Sequence, residues 1–212
     1  MRTAIAAIAC VLPLFSQVTE TQHAAEATLS LSPKVDLILH TRVRTQPGGL
    51  GLYQGRLGPI LEIDFAPRLS AIGGYYYTIQ TDKEEDIRGT HRFFGGLKGT
   101  ALETRWIEAE LRTMIERFDG AGPGFNRYRH RLRLSNPAKV SPYAGVEMFH
   151  GAEGWRSTRY SGGVRWQTSD RFEMDFGYFF ENRRNSLGPN RHMVSTSFHF
   201  RRRPGKRPDP DF

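Results

Sequence analysis

The chain has 212 residues, of which 38% are hydrophobic and 25% are charged, and its formal net charge is +8 at pH 7. The length suits one domain of ordinary size, and this composition by itself indicates neither a soluble nor a membrane protein. Beyond the first residues there is no run of about 18 apolar residues, which excludes a helical membrane span.

The beginning of the chain has the features of a secretory signal peptide. Arg2 supplies a positive charge, residues 4–15 form an apolar run too short to span a bilayer, and residues 25–27 read Ala-Glu-Ala, which matches an A-x-A cleavage site. We therefore predict a signal peptide at residues 1–27 and a mature chain that begins at Thr28.

Two further points concern this segment. Cleavage after Ser16 is the alternative to cleavage after Ala27. The single cysteine, Cys10, lies inside the segment, so the mature chain would have no disulfide of its own and no thiolate ligand or nucleophile. A lipoprotein signal ending at Cys10 is disfavoured because the apolar stretch before it is very short.

From about Val35 onward, apolar and polar residues alternate with a period of two, which is the pattern of a β-strand with two unlike faces. Leu37 and Leu39 share one face, for example, and His40 and Arg42 share the other. The alternation recurs in about ten segments of roughly ten residues, the length of a tilted strand that crosses a bilayer. Since only helices and closed barrels cross bilayers, we predict an all-β fold, a closed antiparallel up-and-down transmembrane β-barrel of about ten strands.

The connections between these segments support an outer-membrane barrel. Every second connection is long and rich in turn residues, and the others are mostly tight, as at Ala66-Pro67-Arg68. Outer-membrane barrels show this asymmetry, with short turns in the periplasm. We therefore predict that the short turns and both termini lie in the periplasm. The long connections read QPGGLGLYQGR, TDKEEDIRG, DGAGPG, GAEGWRS and RRNSLGPN.

One segment is ambiguous. In the stretch from Trp106 to Phe118, the apolar residues Ile107, Leu111 and Ile115 also recur at helical spacing, so an amphipathic helix stays open. A strand is preferred because the charged residues then share one face.

Arginine occupies every second position of residues 126–135, which read NRYRHRLRLS. In a membrane barrel the polar face lines the lumen, and ten strands enclose a backbone radius of roughly 10 Å, which arginine side chains of about 6 to 7 Å fill. Because buried charges need partners, we predict a structural ladder of salt bridges in a filled lumen. A basic wall that selects anionic solutes is the alternative, and it requires an open path past the acids. The predicted ladder comprises Arg127, Arg129, Arg131, Arg133, Glu108, Glu110, Glu116, Glu147, Arg159, Arg165, Glu173 and Asp175.

Catalytic and metal-binding groupings are weak. Ser195, Ser197 and His199 share one face of the last strand, with Glu173 and Asp175 on the strand before it, but a spacing of two along a strand shows only that they point the same way. The seven histidines form no H-x-H or H-E-x-x-H motif, so we predict neither a metal nor another cofactor. The acidic residues within 82–86 are interpreted as a solvated loop.

Nucleic acid is the other partner that basic and aromatic residues suggest. The stretch at residues 126–134 and the sequence pI near 9.9 would suit a single strand. The export signal and the many acids that can pair with the arginines argue against this partner, so we predict none.

Six motifs in a fixed order carry a family resemblance: IERF (115–118), NRYRHRLRL (126–134), PYAGVEMF (142–149), RYSGGVRW (159–166), FEMDFGYFF (172–180) and HMVSTSFHF (192–200). In these motifs the chain resembles a family of uncharacterised bacterial outer-membrane β-barrel proteins, domain of unknown function 2490. The resemblance implies a signal peptide, an outer-membrane location and a barrel, but no assigned chemistry.

The end of the chain departs from the usual barrel pattern. Barrel assembly relies on a last strand that ends in an aromatic residue near the C-terminus, whereas here Phe200 is followed by RRRPGKRPDPDF. We predict a barrel at residues 28–200 and a basic, disordered periplasmic tail at residues 201–212.

The combined prediction is a non-enzymatic outer-membrane β-barrel with a charged, largely filled lumen, serving small-solute passage or envelope integrity. Its expected partners are outer-membrane lipid and the barrel-assembly machinery, which would bind the last strand. Two alternatives stay open, a barrel enzyme that modifies lipid or other envelope components, and a soluble periplasmic β-sandwich or lipocalin-like binder.

Overall fold

The computed structural model describes residues 19–45, 51–81, 87–120 and 122–202. Within them, eleven strands pair in sequence order, and the first pairs with the last to close a barrel. The predicted all-β closed barrel is therefore confirmed, with eleven strands rather than about ten. The strands are β1 (Thr19–Ser32), β2 (Val35–Thr45), β3 (Leu52–Ala66), β4 (Leu69–Thr81), β5 (Ile87–Glu103), β6 (Glu108–Gly120), β7 (Phe125–Ser135), β8 (Val140–Gly151), β9 (Gly154–Ser169), β10 (Phe172–Arg183) and β11 (Arg191–Arg201).

The additional strand is β1. It pairs antiparallel with β2, where His23 lies opposite Val43, and parallel with β11, where Ala25 lies opposite Phe198. Within the described residues the barrel therefore already includes Thr19–Ala27, ahead of the predicted start at Thr28, and its closure is mixed rather than purely antiparallel. Small alanines that suit a cleavage site also suit a strand face, which is why the sequence pattern misplaced this boundary. Residues 1–18 and 203–212 lie outside the described part of the chain, so the leader and most of the tail stay predictions.

The two ends of the barrel differ in their connections. The five connections at one end, here called the turn rim, span two to four residues, and those at the other end, the loop rim, span two to seven. The chain between β8 and β9 is a tight turn, although a long connection was predicted there. Because β1 runs parallel to β11, the chain enters β1 at the loop rim and leaves β11 at the turn rim. The described ends of the barrel, Thr19 and Arg201, therefore lie at opposite rims, whereas both termini were predicted on the periplasmic side.

The ambiguous segment from Trp106 to Phe118 is a strand over most of its length, because β6 begins at Glu108. Trp106 and Ile107 belong to the preceding connection. The only helical element in the described residues is the 3-10 helix Asn185–Leu187. No helix in this part of the chain is long and apolar enough to cross a membrane.

The polarity of the barrel is inverted relative to a soluble β-protein. On β7, Arg129, Arg131 and Arg133 are buried, whereas Leu132 and Leu134 are exposed. Every strand presents at least one large apolar side chain on the outer surface. Examples from β1 to β11 are Leu31, Leu39, Leu57, Ile79, Phe93, Leu111, Leu132, Met148, Tyr160, Phe176 and Phe200. A soluble sandwich or lipocalin with these residues in its core is thereby excluded.

The interior is not charged throughout. One apolar cluster lies inside the barrel against β2 to β6, and its residues follow the same alternation as the neighbouring charged residues. It consists of Ile38, Ile60, Ile72, Tyr76, Phe94 and Met114. Eleven strands enclose a backbone radius of roughly 11 Å, so this cluster and the charged side chains together fill the middle of the lumen.

Candidate functional site

Glu116 is the centre of the charged interior. It lies on β6, is fully buried, and receives guanidinium groups from two neighbouring strands. Arg92 of β5 contacts one carboxylate oxygen, the Arg127 Nε donates to Oε2 at 2.5 Å, and the Arg129 Nη1 donates to Oε1 at 3.1 Å. Three positive groups around one carboxylate leave a net positive charge at this point.

Arg129 extends this network to Glu147 on the adjacent strand β8. Its Nε and Nη2 donate to the Glu147 Oε1 at 2.8 and 2.5 Å. Arg112 and Arg159 reach the same carboxylate at 3.4 and 3.5 Å. The line Glu116, Arg129, Glu147 thus joins β6, β7 and β8 through buried, charge-assisted hydrogen bonds.

The remaining arginines of β7 pair towards the turn rim. The Arg131 Nη2 donates to Glu110 at 2.6 Å, and the Arg133 Nη2 lies 3.4 Å from the Asp175 Oδ2. The Tyr143 hydroxyl donates to the other Asp175 oxygen at 2.7 Å, and the Arg133 guanidinium lies over the Tyr143 ring, 3.9 Å from its centroid. Asp175 is therefore held by a cation and a hydroxyl at once.

Two glycines make room for the Tyr143 ring. A Cβ at Gly163 would lie 2.6 Å from the Tyr143 hydroxyl oxygen, and a Cβ at Gly177 would overlap it. Any larger residue at these positions would push the hydroxyl away from Asp175. The glycines of β9 and β10 therefore determine where this phenol can lie.

The predicted ladder is largely present as ion pairs. Arg165 lies 3.1 Å from Glu173, and Arg159 also contacts Glu181 at 3.1 Å. Glu108 is the exception, because it lines the turn-rim end of the interior without an ion pair among the described residues. The geometry thus places eleven of the twelve predicted residues in ion pairs, and their functional role stays a prediction.

Another buried carboxylate, that of Glu26, was missed because it lies in the segment assigned to the signal peptide. Glu26 on β1 is 3% exposed, and its two oxygens lie 3.1 Å from the His40 Nδ1 and 3.0 Å from the His199 Nδ1. It thereby links β2 and β11, the two neighbours of β1. The sequence pattern could have indicated this strand, because Glu20, Gln22 and Glu26 alternate with a period of two, as the polar residues of the later strands do.

Comparison with known proteins places the chain in a family. Residues 23–193 match the family described as "protein of unknown function (DUF2490)". The chain belongs to the DUF2490 family. The match begins inside β1 and ends inside β11, so the DUF2490 region includes part of the closing pair of strands. No curated protein matches the chain.

The groupings considered for catalysis in this DUF2490 chain are not assembled as a triad. The His199 Nδ1 faces Glu26, and no hydrogen bond within the described residues joins His199 to Ser195 or Ser197. Residues 19–45, 51–81, 87–120 and 122–202 contain no group of three or more His, Cys, Asp or Glu side chains placed to hold a metal ion. The acidic loop at residues 82–86 lies outside the described residues.

Both ends of the interior are open, but the middle is packed. At the turn rim a cavity of about 690 Å³ is bordered by Asp64, Glu103, Glu108 and Glu110, and at the loop rim a second cavity of about 230 Å³ is bordered mainly by arginines. Between them, Tyr76 and Glu116 are fully buried. Lys34, Arg68 and Lys98 also border the turn-rim cavity, so its wall carries both signs of charge, whereas the wall of the loop-rim cavity is mainly basic.

Proposed function

We propose that this DUF2490 protein is a non-enzymatic outer-membrane β-barrel whose packed, ion-paired interior keeps the membrane closed to free diffusion. The observation that carries the proposal is the inverted polarity. Most of the buried side chains inside the barrel are polar or charged, whereas every strand has at least one large apolar side chain on its outer face.

The exterior supports a lipid environment for physical reasons. A continuous apolar surface of this kind is costly in water and marks contact with lipid or protein. A closed barrel also satisfies its backbone hydrogen bonds within its own wall, which is the condition for strands in a bilayer. We therefore propose outer-membrane lipid as the principal partner.

The interior favours a role in envelope integrity over a general diffusion pore. The line from Glu116 through Arg129 to Glu147 runs along the inner face of three adjacent strands, β6 to β8, and all three side chains are at most 5% exposed, so this side of the interior is closely packed. Small-solute passage is the second candidate because a cavity opens at each rim, and it requires this line to part.

Export and assembly are proposed on the same basis. Cleavage after Ser16 would keep β1 in the mature chain, whereas cleavage after Ala27 would remove residues that pair with β2 and β11. Phe200 lies on the outer face near the end of β11 and is 51% exposed, and this position supports the proposal that it is the aromatic signal for the assembly machinery.

Heat-modifiable migration tests the membrane barrel. After cell fractionation, we expect the protein in the outer-membrane fraction. In mild detergent it is expected to migrate differently before and after boiling, and its strands are expected to resist external protease. Identical migration, together with recovery in the soluble fraction, would contradict the proposal.

Conductance in planar bilayers tests whether the lumen is closed to ions. The unmodified protein is expected to give little conductance, and Arg129→Ala is expected to alter folding, conductance or both. If Arg129→Ala changed neither folding nor conductance, the proposal that ion pairs close the lumen would lose its main support.

A further inference from the structure

The loop-rim end of the interior contains positive charge that the ion pairs do not neutralise. A cavity of about 230 Å³ opens at this rim, and its wall includes eleven arginines. They are Arg42, Arg44, Arg56, Arg92, Arg127, Arg129, Arg131, Arg156, Arg159, Arg183 and Arg191.

Six of these arginines have carboxylate partners, which are Glu20, Glu110, Glu116, Glu147 and Glu181. The other five have no ion-pair partner among the residues that the structure describes; they are Arg42, Arg44, Arg56, Arg156 and Arg183. Eleven guanidinium groups against five carboxylates leave a surplus of six positive charges around one small cavity.

Two of the five unpaired arginines are almost completely buried. Arg42 is 6% exposed and Arg44 is 7% exposed. Their side-chain partners are neutral amides, since the Arg42 Nη2 donates to Gln54 at 2.7 Å and the Arg44 Nε donates to Gln22 at 3.0 Å. The Arg42 Nε has no hydrogen-bond partner in the described structure. A buried cation with only neutral partners is costly, so these groups are poised for a negatively charged ligand.

The strand register adds repulsion to this cost. Arg42 on β2 lies directly opposite Arg56 on β3, and both side chains point into the lumen. Like charges directly opposite each other destabilise a sheet. Arg42 is also close enough to Arg44, Arg92 and Arg159 to be repelled by each of them. An anion between these groups would remove the repulsion.

We infer that the loop-rim cavity binds a multivalent anion that carries at least two phosphate groups. The guanidinium fork matches the oxygens of a phosphate, and each phosphate group bears a charge of about −1.5 to −2 at pH 7. A monovalent anion would leave most of the surplus charge in place. Glu147 lines the cavity, and Arg129 joins it to the fully buried Glu116, so the anion would bind at this packed end of the interior rather than pass through.

Calorimetric titration with inorganic pyrophosphate tests this inference on the folded, full-length protein in a neutral detergent. Sodium chloride at the same ionic strength is the reference. We expect saturable binding, weakened at least about tenfold in Arg42→Gln and in Arg56→Gln. Arg117→Gln is the matched control, because Arg117 lies outside this cavity near the same rim, is half exposed and pairs with Asp119. It is expected to bind like the unmodified protein.

Thermal unfolding separates a ligand site from a structural role. If Arg42 is held against repulsion, Arg42→Gln should raise the Tm in phosphate-free buffer and abolish the further rise that pyrophosphate produces. A lowered Tm with an undiminished response to pyrophosphate would mean that Arg42 is structural and would overturn the inference.

Phosphate groups occur on free anions and on lipid headgroups, and a second arm distinguishes these sources. Micelles containing a lipid with two phosphate groups are compared with micelles containing its uncharged counterpart. Binding of pyrophosphate supports a soluble ligand, and binding of the phospholipid alone, lost in Arg42→Gln, supports a lipid ligand. Binding of neither probe would overturn the inference. The test does not depend on the membrane location proposed above, because the cavity lies inside the barrel.

Discussion

At the scale of single residues, the molecule depends on pairing buried charges rather than on avoiding them. Glu116 shows this most clearly, because its carboxylate faces three guanidinium groups in a region without exposure to solvent. Removing one member of a buried network leaves the others uncompensated, which costs far more than the pair contributes.

Glu116→Gln is therefore expected to lower the free energy of unfolding by roughly 3–5 kcal/mol. Asp119→Asn is the control on the same strand, since its ion pair with Arg117 is exposed and should contribute no more than about 1 kcal/mol. Urea unfolding of both variants, followed by tryptophan fluorescence, measures the difference. Equal losses in the two variants would show that Glu116 is not the centre of the network.

The close contact between Gly177 and the Tyr143 hydroxyl leads to a second prediction about single residues. Gly177→Ala would displace the Tyr143 hydroxyl from Asp175, and overpacking of this kind costs about 1–3 kcal/mol. In a Tyr143→Phe background the hydroxyl is absent, so the same substitution should cost clearly less. A double-mutant cycle of unfolding free energies measures this coupling. Strict additivity would contradict the proposed contact.

The sequence predicted the direction of single side chains well where the alternation along a strand alone determines which face a residue occupies. The four arginines of residues 127–133 point inward because the outer face of β7 must carry leucine and tyrosine. The alternation did not predict that Tyr76 and Ile60 point inward. Both share the inner face with charged residues, but as apolar residues they resemble those of the outer face. Which arginine meets which carboxylate depends on register across several strands, and no local pattern encodes it.

At the scale of elements, β1 is where sequence and structure differ most. Its alanines resemble a cleavage site, but its alternation continues that of the other strands, and Glu26 joins it to the strands on both sides. Without residues 19–27, β2 and β11 would lose their hydrogen-bonded neighbour over most of their length, and an unpaired edge is unfavourable in a bilayer.

We therefore expect the mature protein to begin before Thr19. Mass spectrometry of the intact protein from the outer membrane, combined with N-terminal sequencing, measures the start directly. As an independent readout, Glu26→Ala should reduce the stability of the mature barrel. A mature start at Thr28, with no effect of Glu26→Ala, would show that β1 is not part of the mature fold.

At the scale of the whole molecule, eleven strands with a parallel closing pair place the two ends of the barrel at opposite rims. This follows from the odd number of strands, which the sequence pattern underestimated by one. If the protein lies in the outer membrane with its loop rim outward, as is usual for barrels of that membrane, Thr19 lies near the cell surface and Arg201 near the periplasm.

Epitope tags test this arrangement. A tag directly before Thr19 should be detected by antibody on intact cells, whereas a tag after Arg202 should be detected only when the outer membrane is permeabilised. Detection of both tags under the same condition would contradict the parallel closure of β1 and β11.

The central claim is that the apolar face of each strand lies against acyl chains. Single cysteines at Leu111 and Leu132, outward neighbours on β6 and β7, can each carry a nitroxide label in a Cys10→Ser background, with Gly122 at the loop rim as the aqueous control. In lipid bilayers, the account predicts that both strand labels collide readily with oxygen and poorly with a water-soluble nickel complex, and that the Gly122 label shows the reverse. Strong nickel collisions at Leu111 and Leu132 would contradict it.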